Sequence, residues 1–155
     1  MTDQHTSSNL APPELDRLRL GFMPLTDCAP LVVAEMLDLG KPYGLKLELR
    51  RQASWAAVRD KLLSGELDAA HALYGLVYGV QLGLGGPQAD MSILMTINRN
   101  GQAITLSNRL FDLMAQGTPL AQIATTLGRK PVFAQTFPTG THAMWLNYWL
   151  AARGI

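Results

Sequence analysis

Only one cysteine, Cys28, occurs in the 155 residues, so no disulfide can form within the chain. That is compatible with a reducing compartment. Charge is also sparse. Charged residues make up 16%, and 13 Lys and Arg stand against 12 Asp and Glu for a net charge of +1. A basic surface for direct contact with nucleic acid would show clustered Lys and Arg. The pair Arg50-Arg51 is instead expected in water at a strand end. Long apolar runs are missing as well. The most apolar stretch, 72–84, contains Gln81 and three glycines and falls short of the roughly 20 residues a membrane-spanning helix needs. Residues 1–16 are polar, without a basic segment followed by an apolar one. A disordered lead-in over 1–17 and a cytoplasmic location are therefore expected, or a periplasmic one if a leader has been removed.

Catalytic and metal signatures are equally thin. His5, His71 and His142 share no ligand spacing, and neither C-x-x-C nor H-E-x-x-H occurs, so no metal and no cofactor is expected. Gly-x-Ser-x-Gly is absent. Cys28 at a helix start could have a lowered pKa, but a small residue filling a strand–helix corner is the better account. The glycine-rich Gly83-Leu84-Gly85-Gly86 is not followed by Lys-Ser/Thr, and it follows a helix rather than a strand. No paired nucleophile and base remains, and the chain is not expected to be an enzyme.

What is present is a core-forming pattern. With 48% apolar residues the chain can build a compact folded structure. Residues 18–23 read as a strand. Asp27 or Cys28 is expected to cap a helix with Pro30 near its first position and Gly40 at its stop. Leu45, Leu47 and Leu49 alternate with Lys46, Glu48 and Arg50, the period of a strand. Ser54 caps a helix over 55–63 that Gly65 ends. A short strand over 68–73 and a helix over 76–82 follow, the latter closed by the glycine cluster. Strands are expected at 91–97, 103–107 and 132–136, and helices at 108–116, 120–127 and 142–152. This alternation predicts an α/β fold, a mainly parallel sheet with helices on both faces. In such sheets ligands bind at the carboxyl ends of the strands, which here directs attention to the loops after Met23, Arg51, Leu73 and Phe137.

Anion binding is the chemistry left standing. Thr139-Gly140-Thr141-His142 opens a helix, where free N–H groups and the positive end of the helix dipole favour an anion. His142 adds an imidazole donor. Trp55 opens another helix and its indole N–H can only donate. Gln102, after the Asn100-Gly101 turn, can lend its amide. Taken singly, each reads as readily as a cap or a packing residue.

Phe22-Met-Pro-Leu-Thr-Asp-Cys-Ala-Pro-Leu31, Ala53-Ser-Trp-Ala-Ala-Val-Arg-Asp-Lys-Leu62, Gly65-Glu-Leu-Asp-Ala-Ala-His71, Gly83-Leu-Gly-Gly-Pro87 and Asn100-Gly-Gln-Ala-Ile-Thr-Leu106 follow one another in that order. From about Leu18 to Ile155 the chain resembles the nitrate- and bicarbonate-binding proteins of ABC importers and their cytoplasmic relatives that sense nitrate and nitrite. The resemblance implies a bilobal fold like the type II periplasmic binding proteins. Residues 18–104 would form lobe one and 105–155 the start of a truncated lobe two. It also implies that Trp55, Gln102 and His142 contact the anion, with Gly79 supplying backbone and Thr141 at the helix start, and that a lysine of the second half completes the site. Nitrate is planar and accepts hydrogen bonds only, so an all-donor set suits it or nitrite; bicarbonate carries a proton and would gain from a carboxylate. The implied function is a cytoplasmic nitrate/nitrite sensor that regulates nitrate assimilation through an RNA-binding antiterminator. The alternatives are the binding component of an importer, acting with an ABC permease, and a remnant that binds nothing.

Overall fold

Leu18 and Leu20 alternate with Arg17 and Arg19, and this period of two is realised in strand β1 (Arg17–Phe22). The computed structural model describes residues 12–99 and 101–155. Most of the expected lead-in, His5 and Asn100 lie outside the described residues. Two compact units form, one ending at His71 and the other spanning Ala72–Ile155.

In the first unit β1 is followed by a 3-10 turn (Thr26–Cys28) and helix α1 (Ala29–Met36). Strand β2 (Lys46–Arg51), helix α2 (Trp55–Leu63) and the two-residue strand β3 (Ala69–Ala70) complete it. The strands pair in the order β2-β1-β3 and both pairings are parallel, as the alternation of strands and helices predicts. The register sets Phe22 beside Arg51 and Gly21 beside Ala70. All three strands therefore end at one edge of the sheet. Leu20, Cys28, Val58 and Leu67 are buried in the core, and Cys28 fills the strand–helix corner expected of it.

Cys28 is the N-cap of α1 and Pro30 lies in its first turn, as expected, but the cap bond and the stop differ. Neither Asp27 nor Cys28 caps α1 with its side chain. The last helical residue is Met36, and Asp38 rather than Gly40 supplies the turn beyond it. Asp38 adopts the left-handed conformation, with φ of 51°. Its N–H bonds the Glu35 carbonyl at 3.0 Å, and the N–H of Leu39 bonds that of Ala34 at 2.9 Å. These two bonds use carbonyls that a helix end otherwise leaves unpaired. Gly40 serves close packing instead: a Cβ there would lie 2.2 Å from the carbonyl oxygen of Leu45.

Asp68 ties the start of β3 to β1. Its carboxylate accepts from Arg19 Nη2 at 2.6 Å, from Nε at 2.9 Å and from the Arg19 backbone N–H at 2.7 Å. The guanidinium bonds, first, and the backbone bond, second, pull the Asp68 carboxyl from its usual 3.8 down to about 2. A carboxyl held lower in the folded state than in the unfolded chain stabilises the fold above the unfolded value, and loses that contribution as pH falls through the folded one. Asp68→Asn should therefore be less stable than the parent at neutral pH. The difference should shrink between pH 3.8 and about 2, as read by urea unfolding at a series of pH values. A difference that does not change with pH would remove the ion pair from the account.

The second unit contains helices α3 (Tyr74–Gln81), α4 (Asn108–Ala115), α5 (Leu120–Leu127) and α6 (Thr141–Ala151). Leu110, Leu120 and Ile123 form its core, with Phe133, Trp149 and Leu150 packed against them. The strands expected at 91–97, 103–107 and 132–136 do not form. No ladder partner for them lies among the described residues, and an unpaired strand leaves its N–H and C=O groups without the bonds that define it. The side chains follow: Leu94 is 79% exposed and Val132 86%. Among the described residues no helix is long and apolar enough to cross a membrane.

Candidate functional site

Because the three strands run parallel, the residues that follow them collect at one edge. Asp27 follows β1, Gln52 and Trp55 follow β2, and His71 follows β3. The backbone N–H of Gln52 bonds the carbonyl of Phe22 at 2.9 Å, and that of His71 bonds Gly21 at 2.9 Å, each extending the sheet by one residue. Ser54 caps α2 by accepting from the N–H of Ala57 at 3.1 Å, which sets Trp55 at the first helical position. Trp55 is 7% exposed and His71 3%. Their rings meet edge to face at 5.3 Å between centroids. His71 Nε2 lies 3.1 Å from Asp27 Oδ2. Gln52 is buried and donates to the carbonyl of Arg50 at 2.8 Å. Beside these groups is an open depression of about 380 Å³ lined by Met23, Pro24, Arg51, Gln52 and Ala53.

The second unit gathers donors at the start of α6. Gly140 is the N-cap and carries no side chain to occupy the first N–H groups. Those of Ala143 and Met144 both turn to the Gly140 carbonyl, at 3.0 and 3.3 Å. Among the described residues the N–H groups of Thr141 and His142 have no acceptor. Gln102 donates one amide hydrogen to Thr141 Oγ1 at 2.9 Å. Its other amide hydrogen and the Thr141 hydroxyl hydrogen remain to be given. His142 Nδ1 lies 3.1 Å from the Thr136 hydroxyl. When that hydroxyl donates, the imidazole proton sits on Nε2 and is available to a ligand. No carboxylate takes part in any of these bonds. The arrangement can give several hydrogen bonds to an anion, and its acceptors, the oxygens of Gln102 and Thr141, are neutral.

Gly79 is buried inside α3, and its carbonyl accepts from the N–H of Leu84 at 2.7 Å. A Cβ at Gly79 would lie 2.7 Å from Thr139 Oγ1, and one at Gly75 only 1.9 Å from the Thr139 carbonyl oxygen. These two glycines let the segment leading into α6 lie directly against α3.

Of the residues named from sequence, Gln102, Thr141 and His142 are brought together in the second unit. Gly79 stands behind them through Thr139. Trp55 belongs to the first unit, against His71. The sequence reading assigned no joint role to Asp27, Gln52 and His71, nor saw Thr136 as the partner of His142. The signal for the first three was present, since each directly follows a strand or the turn after it. Among the described residues no three His, Cys, Asp or Glu side chains gather as a metal cluster would require.

Comparison with known proteins agrees with this architecture. The model of the NMT1-like family matches residues 11–155. The nitrate/nitrite binding protein NrtA of Synechocystis sp. is 41% identical over 152 residues, 92% of this chain and 34% of that protein. The bicarbonate-binding protein CmpA of Synechococcus elongatus is 29% identical over 164 residues, 98% of this chain and 36% of that one. The crystal structure of the periplasmic nitrate-binding protein NrtA from Synechocystis PCC 6803 matches with a TM-score of 0.81 and 39% identity, covering 94% of this chain and 40% of that chain. The chain thus spans about a third of the length of the curated relatives it matches. These relatives are binding proteins, not enzymes. With a parallel α/β architecture like that of a periplasmic nitrate-binding protein and a family match along nearly its whole length, the chain belongs to the NMT1-like family, in company with nitrate/nitrite- and bicarbonate-binding proteins.

Proposed function

We propose that the chain binds nitrate or nitrite as a solute-binding protein does, with Gln102, Thr141 and His142 as donors in the second unit, Gly79 supporting the last two through Thr139, and Trp55 as the donor that the first unit offers. The start of α6 carries the proposal. There an amide, a hydroxyl, an imidazole and two backbone N–H groups are ready to donate, with no carboxylate among their partners. Nitrate only accepts, so each donor finds a use. Bicarbonate's own proton would find only a neutral oxygen of Gln102 or Thr141 here, and no carboxylate. Charge-assisted hydrogen bonds of this kind contribute about 1.5–3 kcal/mol each. On this reading residues 18–104 belong to a first lobe and 105–155 begin a second.

Isothermal titration calorimetry is the direct test. Nitrate and nitrite should give saturable heats, with bicarbonate weaker by at least about tenfold, the worth of one hydrogen bond. No heat from nitrate or nitrite would remove the function and leave a chain that binds neither. The named functions of the relatives favour a role beside an importer's ABC permease. The finer possibility, a cytoplasmic sensor, requires capture of an RNA-binding antiterminator that nitrate releases. A pull-down with and without nitrate decides between them: capture reversed by the anion means a sensor, and no capture leaves the importer role.

A further inference from the structure

A buried imidazole and a partly exposed carboxylate stand beside Trp55, each with one shielded polar atom unused. His71 Nδ1 and Asp27 Oδ1 are shielded from solvent and have no hydrogen-bond partner among the described residues. Most buried polar atoms are paired, and an unpaired one costs free energy that an aliphatic side chain would not. Packing alone therefore does not account for a His at the end of β3. Geometry does. Asp27 Oδ2 lies 3.1 Å from Nε2, which puts the imidazole proton on that nitrogen and fixes the plane of the ring. The ring then presents itself to the indole at an interplanar angle of 68°. Indole and imidazole have two soft torsions each, and a ring held by a second hydrogen-bonded group loses that freedom before any ligand arrives. The three residues lie on the segments that follow three different strands: Asp27 in the turn after β1, Trp55 at the start of α2 after β2, and His71 directly after β3.

We propose that Asp27 and His71 are positioning residues that hold the Trp55 indole at the angle its N–H needs to meet an anion. This rests on Trp55 being a donor to nitrate. Asp27 anchors the imidazole, the imidazole edge fixes the indole, and neither touches the anion itself.

A double-mutant cycle on nitrate affinity tests it, using the full chain and calorimetry on the parent, Trp55→Phe, His71→Gln and the double variant. Gln keeps a donor for Asp27 but removes the ring. His71→Gln should weaken nitrate binding about tenfold when Trp55 is present, as for one misdirected hydrogen bond. In the Trp55→Phe background it should cost nothing further, because the N–H it serves is gone. An equal loss in both backgrounds would show that His71 acts independently of the indole, and overturn the proposal. So would unchanged affinity in His71→Gln while Trp55→Phe is impaired. If Trp55→Phe binds like the parent, or the parent binds no nitrate, the donor role of Trp55 fails first and the positioning role with it; neither result resembles the other two. If circular dichroism shows His71→Gln unfolded, Asp27→Ala replaces it in the same cycle, keeping the imidazole but removing the oxygen that anchors it, and is expected to lose affinity only when Trp55 is present.

Discussion

Gly75→Ala should unfold at clearly lower urea concentration than the parent, although alanine is the better helix former. Gly75 lies in the first turn of α3, and its added Cβ would sit 1.9 Å from the Thr139 carbonyl oxygen, 2.8 Å from the Thr139 carbonyl carbon and 2.9 Å from Gly140 Cα. All three are backbone atoms, so no rotamer change relieves the overlap. Exchanging Gly for Ala within a helix gains about 1 kcal/mol. Overpacking of a filled interior costs about 1–3 kcal/mol and more where the backbone must move. Repulsion wins, and a net loss of about 2 kcal/mol is expected. Gly79→Ala is the informative contrast. Its Cβ would meet the hydroxyl and methyl of Thr139, at 2.7 and 3.2 Å. A side chain can turn aside, so the loss there should be smaller. A Gly75→Ala protein with the parent's urea midpoint would mean that the 137–140 segment does not lie against α3. The consequence reaches function, because that segment delivers Thr141 and His142. Gly75→Ala protein that remains folded should also bind nitrate more weakly.

Where sequence and structure agree, the deciding signals were local. Ser54 before the helix and Gly65 after it bracketed 55–63, and α2 spans Trp55–Leu63. The helix expected over 120–127 is likewise α5, at Leu120–Leu127, between Pro119 and a left-handed Gly128. Alternating leucines marked β2 because one of its faces is more buried than the other. The failures were non-local. Residues 91–97 have the composition of a strand, but a strand exists only beside another, and composition does not say which. Asp27 illustrates the same limit for the site. Its type and position make it a good cap, yet its carboxylate faces His71, which the parallel sheet brings near and the chain order does not. His142 stood out as a candidate because local rules place a helix start there, and α6 begins at Thr141; Gln102 stood out only for following the Asn100-Gly101 pair in sequence. That Gln102 meets Thr141, and Thr136 meets His142, depends on how the second unit packs.

Removing the imidazole donor should have the largest effect on the anion itself. His142→Phe keeps an aromatic ring of similar bulk but has no N–H, so nitrate affinity should fall about ten- to a hundredfold, the worth of one charge-assisted hydrogen bond in a partly buried place. The fold should survive, because His142 is only partly buried and its one hydrogen bond is to the exposed Thr136. Thr136→Val separates two explanations for such a loss. It leaves the imidazole in place but removes the hydroxyl facing Nδ1. With neither nitrogen favoured, the proton spends part of its time on the wrong one, and affinity should fall by no more than about threefold, a fraction of one hydrogen bond. If His142 served only to fill space, Phe would replace it without loss and Thr136→Val would be silent. If it donates through Nε2, the two variants must both weaken binding, His142→Phe by much the more. Nitrate binding in His142→Phe equal to that of the parent would exclude the start of α6 as the place where the anion is held.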